Sequence, residues 1–139
     1  MNTNDTYKKL AYSLRILQLG ETPKARRLLE KLAGEAPENA DVYNALGALC
    51  YDEGDLDAAR AALHACVALA PEHPLANATL GELALRRKDG AAAARHFEIT
   101  LRSKAAGIER IQQWVKVLWT LASAPSSRGA TNESASMPR

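Results

Sequence analysis

The chain has 139 residues, 47% of them hydrophobic, and a net charge of +2. That length suits one domain with a sizeable buried interior, and so small a charge does not steer it toward nucleic acid or an anionic membrane. No long apolar span offers membrane insertion, and the polar start Met1-Asn2-Thr3-Asn4-Asp5-Thr6 lacks a secretory signal, so a cytoplasmic location is expected.

Residues 1–5 are expected to be flexible. A first helix over Tyr7–Leu19 shows two apolar stripes, Tyr12-Ile16-Leu19 and Tyr7-Leu10-Leu14-Leu17. At about 100° per residue they lie on nearly opposite sides. Gly20 ends this helix, and a second one carries Ala25 and Leu29 before Pro37. In the next unit Tyr43, Leu46, Gly47 and Cys50 recur at helical spacing. Gly54 is free to turn left-handed and Asp55 to cap the helix that follows. That helix carries Ala59, Leu63, Cys66 and Leu69 on one stripe, and Pro71 stops it. A third unit repeats the pattern through Leu80, Gly81, Ala84, Ala93 and Phe97. A last helix over 108–122 has Ile111, Val115, Leu118 and Ala122 in phase. Its tryptophans, Trp114 and Trp119, are about 140° apart and cannot share one seam. Residues 123–139 are rich in Ser, Pro, Gly, Asn and Thr and are expected to be disordered. No valine- or isoleucine-rich alternating run predicts a strand.

One interval organises these segments. Ala25, Ala59 and Ala93 are 34 residues apart, as are Leu29, Leu63 and Phe97. Gly20 with Gly54, Pro37 with Pro71, and Leu46-Gly47 with Leu80-Gly81 keep the same step. A period of this length marks a helix-turn-helix array. Each pair leaves an apolar side uncovered, so the next pair must stack on it.

The residues Tyr43, Leu46-Gly47, Ala59, Leu63 and Pro71 resemble the tetratricopeptide repeat, with Cys50 where that family has an aromatic. Lys9 and Ser13 depart from the pattern in the first unit, and Asn77 and Ala105 in the third. The resemblance implies an all-α, right-handed superhelical array of three repeats over 6–39, 40–73 and 74–107, with 108–122 as a capping helix.

Chemistry-bearing constellations are missing. Cys50 and Cys66 fall on the apolar stripes of one helix pair, where reduced thiols act as small hydrophobes. His64, His73 and His96 have no metal-ligand spacing and read as helix-surface or helix-start residues. There is no glycine-rich phosphate loop and no nucleophile motif. The acids Asp52, Glu53, Asp55 and Asp57 gather at a helix start, where the dipole favours them. We expect neither an enzyme nor a cofactor.

The resemblance also assigns faces. It packs the Tyr12 stripe against Leu28, Leu29 and Leu32, and turns Tyr7, Leu10, Leu14 and Leu17 into a concave groove. Asn44, Ala48 and Tyr51 follow from the second unit, Leu75, Ala78, Glu82 and Leu85 from the third, and Gln112, Lys116 and Trp119 from the capping helix. A mostly apolar groove implies a protein partner with an apolar or amphipathic segment. The competing expectation is a homo-oligomer assembled through the apolar first helix. Three-repeat proteins of this kind are similar to the chaperones of type III secretion, which keep secretion subunits soluble before export.

Overall fold

Asn2, Asn39, Asp55, His73 and Asp89 each turn a side chain onto the backbone N–H three residues ahead, and a helix follows each. Satisfying one of the unpaired N–H groups of a first turn is what makes such residues starters. The computed structural model describes residues 2–124. Seven helices run through them: α1 (Thr3–Gln18), α2 (Thr22–Glu35), α3 (Ala40–Glu53), α4 (Leu56–Leu69), α5 (Pro74–Arg86), α6 (Gly90–Arg102) and α7 (Glu109–Ser123). There is no strand among the described residues. The N-terminus differs from expectation, since Thr3–Asp5 are already helical behind the Asn2 cap. The expected disordered tail lies outside the described residues from 125 onward.

Helices α1 and α2, α3 and α4, and α5 and α6 form three antiparallel pairs, and α7 lies on α6. Glycine sets the closeness within pairs. A Cβ on Gly47 would fall 2.7 Å from Leu63 Cγ, and one on Gly81 2.2 Å from Phe97 Cε1. Gly54 has φ 84°, and this left-handed residue lets Asp55 begin α4 at once.

The pairs stack by one rule. Leu29, Leu32 and Ala33 of α2 pack with Val42 and Leu49 of α3. Leu63 and Cys66 of α4 pack with Ala76, Leu80 and Leu83 of α5. Ala93 and Phe97 of α6 pack with Val115 and, less buried, Ile111 and Leu118 of α7. The step into α7 is longer than the step before it. Helices α3 and α5 begin 34 residues apart, whereas α5 and α7 begin 35 apart. Ile111, Val115 and Leu118 accordingly stand 35 residues after Ala76, Leu80 and Leu83.

Polar groups fix two junctions. Arg26 of α2 donates to Glu53 and Asp55 at 3.0 Å and to Glu30 at 3.3 Å, which ties α2 to the α3–α4 turn. These acids, Asp55 foremost, push its guanidinium pKa further up. Asn77, standing where Tyr43 stands one unit earlier, is buried. Its amide donates to the carbonyls of Pro71 and His73 at 3.0 and 2.8 Å. Its remaining oxygen therefore accepts from Nδ1–H of His96 at 2.9 Å. His96 is thus no ordinary surface residue. Burial, reinforced by the charges of His64, Arg95 and Arg87, holds its pKa below the usual 6.5.

Candidate partner-binding groove

The first helix does not divide into two apolar sides. Its buried face is Thr6, Leu10, Ser13 and Ile16, spaced at four, three and three residues, and it packs toward α2. Leu10 is only 7% exposed and belongs to the first core, as does half-buried Leu17. Leu10 is therefore corrected from groove surface to core. Tyr7 and Leu14 are 42% and 38% exposed. Tyr12 and Leu19 stay largely exposed, at 53% and 62%, although Tyr12 lines a pocket with Leu28 and Leu32 of α2. A preceding helix pair would cover them, and no pair precedes α1 among the described residues.

In α3, the candidates Asn44, Ala48 and Tyr51 are half-buried. In α5, Leu75, Glu82 and Leu85 are half-buried, but Ala78 is 5% exposed and sits in the core against α7, so its groove assignment is corrected too.

Polar contacts stitch the α1–α3–α5 surface more tightly than an apolar groove would need. Tyr7 Oη donates to Asp41 Oδ2 at 2.6 Å. The other oxygen of Asp41 lies 2.9 Å from His73 Nε2. His73 Nδ1 accepts from the Ala76 N–H at 3.3 Å, so its proton sits on Nε2 and is donated to Asp41. The Tyr7 hydrogen bond outweighs burial and, with His73, holds the Asp41 carboxyl below its usual range. Further along, Tyr51 Oη donates to Glu82 Oε1 at 3.0 Å and accepts from Arg86 Nε at 3.4 Å. The Arg86 guanidinium lies 5.4 Å over the Tyr51 ring, a cation–π arrangement. Glu82 therefore belongs to a cluster rather than standing alone as an edge charge.

The sequence reading missed Asp41 and Arg86. The signal was present, because Tyr7, Asp41 and Leu75 fall in one 34-residue column, and Gln18, Asp52 and Arg86 in another.

The longer step before α7 moves all three of its candidates. With an offset of 35, Gln112, Lys116 and Trp119 correspond to Asn77, Gly81 and Ala84, the side that meets α6, and not to groove residues. Hydrogen bonding agrees. The Gln112 amide donates to the carbonyls of Thr100 and Ser103 at 3.0 and 2.9 Å, as Asn77 does to the turn before it. Gln112 is committed to closing the end of α6. The groove column in α7 falls instead on Gln113, Val117 and Thr120, with Leu121 beside them. Val117 and Leu121 are 54% and 62% exposed, and Trp114 flanks them at 56%. No constant 34-residue spacing could have found them.

Both cysteines are free and buried, and burial pushes the Cys66 thiol up to about 11. Among the described residues no group of His, Cys, Asp and Glu could hold a metal ion, and no helix is long and apolar enough to cross a membrane.

A profile of the tetratricopeptide repeat matches residues 16–74 and again 51–108. No curated protein matches the sequence. Among solved structures, the Yersinia enterocolitica type III secretion chaperone SycD in complex with a peptide of the translocator YopD superposes with a TM-score of 0.76 at 13% identity. The match covers 87% of this chain and 94% of that one. Another SycD structure gives 0.77 at 13% identity, over 88% and 86% of the two chains. An alternative SycD dimer gives 0.75 at 13%, over 87% and 93%.

Proposed function

The chain belongs to the tetratricopeptide-repeat family, and from that premise we propose that it is a non-enzymatic scaffold holding an apolar or amphipathic segment of a partner protein along its concave face. One observation carries the reading. Large apolar side chains stay exposed at both ends of the α1–α3–α5–α7 face, Tyr7 and Leu14 on α1 and Val117 and Leu121 on α7, and Leu14 and Val117 share one register column through Ala48 and Glu82. Glu82 of the Tyr51–Glu82–Arg86 cluster stands between them in that column. Exposed apolar surface of this kind is costly to keep without a partner. The finer reading is a cytoplasmic chaperone that keeps a secretion subunit soluble before export. Its support is the fold shared with SycD, one structure of which holds a peptide of the translocator YopD.

The test is capture of a stoichiometric partner by the tagged chain in its native cell, followed by calorimetry with that partner. Tyr51→Ala and Leu14→Glu should each weaken binding by about 1–3 kcal/mol, while Arg27→Glu on exposed α2 surface leaves it unchanged. The opposite pattern would move the partner to the convex side. A second reading, self-association through α1, is favoured by the exposure of Tyr12 and Leu19. Light scattering decides it: the parent should run larger than a monomer, and Tyr12→Glu should run as a monomer.

A further inference from the structure

Beyond the groove, on the other side of α7, a cavity of about 490 Å³ is lined by Glu98, Leu101, Arg102, Lys116 and Trp119. Register identifies the place. Glu98 and Leu101 stand 34 residues after His64 and Val67, and Lys116 and Trp119 stand 35 after Gly81 and Ala84. In the preceding unit Gly81 and Ala84 receive α6. Phe97 rests on Gly81, and Ala84 packs in the same core as Ala92 and Ala93. The cavity thus lies on the side of α7 where a following helix would pack, and no such helix stands there among the described residues.

The cavity carries the larger Lys116 and Trp119 where Gly81 and Ala84 admit an aromatic ring and a close backbone. Its floor is apolar, from Leu101 and Trp119. Its rim is net basic, with Arg102 and Lys116 against Glu98, and none of the three forms an ion pair among the described residues. The Trp119 indole N–H is buried without an acceptor, so no intramolecular hydrogen bond fixes the ring. We propose that this cavity is a second docking site, taking a short extended peptide segment that places one large aliphatic side chain on Leu101 and Trp119 and an adjacent carboxylate between Arg102 and Lys116.

The site is separate from the groove, and the experiment keeps them apart. Trp114→Phe leaves Trp119 as the single tryptophan, whose emission is followed while the blocked peptide acetyl-Asp-Leu-Leu-Asp-amide is added. A saturable shift is expected, with acetyl-Lys-Leu-Leu-Lys-amide at least tenfold weaker. Lys116→Glu should weaken the acidic peptide tenfold or more without changing the melting temperature, and Tyr51→Ala should have no effect. Absence of a saturable shift at millimolar peptide, equal binding of the basic peptide, or loss of binding in Tyr51→Ala would each overturn the proposal.

Discussion

Alanine at position 81 should destabilise the fold although it favours the helix. In an exposed helix, Gly→Ala gains about 1 kcal/mol. Here the new methyl would lie 2.2, 2.5 and 2.8 Å from three ring atoms of Phe97. That ring is 0% exposed, inside the α5–α6 core. Overpacking a close-fitted core costs about 1–3 kcal/mol, and contacts this short belong at the upper end. The net loss should be about 2 kcal/mol. At about 3–6 °C per kcal/mol for a domain of this size, calorimetry should record a fall of roughly 6–12 °C. Gly47→Ala should cost less, because its methyl meets the branched end of Leu63 at 2.7 Å. Phe97→Leu should relieve the clash, so the double variant should lose less than the two singles together, a coupling of about 1 kcal/mol or more. A melting temperature for Gly81→Ala equal to or above the parent would refute the α5–α6 packing described here.

Phe97→Ala empties the same contact from the other side and should cost about 3–5 kcal/mol in denaturant unfolding. His96 has a folded pKa below its ordinary 6.5, so the unfolded chain takes up its proton first as pH falls. Stability should therefore be full above 6.5 and decline below it toward the folded value, and His96→Gln should flatten that slope in thermal melts. Asp41 gives an acid-side effect. Its folded pKa is depressed chiefly by Tyr7, so its contribution is present above the ordinary carboxylate range and lost as pH falls through the folded value. Tyr7→Phe should move that loss to higher pH. A colorimetric thiol reagent should leave both cysteines unmodified in the native protein and label both in denaturant, since each is buried and its pKa is raised; labelling of the native protein would contradict the packing of α3 on α4.

The array was legible because its spacing is geometric. Small residues at Gly47, Ala59, Gly81 and Ala93, and large ones at Leu63 and Phe97, are what close helix pairs require, and they recur with the pairs. The groove was less legible for two reasons. Leu10 and Ala78 look alike in a column to their exposed neighbours, but whether such a side chain is covered depends on the tilt of the adjoining helix. The extra residue before α7 is invisible to a constant period, so Gln112, Lys116 and Trp119 were placed on the wrong side. The hydrogen bonds of Gln112 reveal the change of offset. Asp41 and Arg86 were less legible because an apolar periodicity carries no sign of polar contacts made between units.

The stacking order sets where the molecule opens. Helices α3 and α5 are packed by their own partners and by the pair before them, whereas α1 rests mainly on α2. Its buried face includes two hydroxyl residues, Thr6 and Ser13, whose hydroxyls bond back to the carbonyls of Asn2 and Lys9 in their own helix. In a nearest-neighbour array, amide exchange should therefore be slowest across α3–α5 and fastest in α1. That gradient crosses the groove. Tyr7 and Leu14 stand on the wall that opens most readily, so a ligand held there would be gripped by a hinged side and a fixed one. The first sign of binding would be slowed exchange in α1, ahead of any change at the centre.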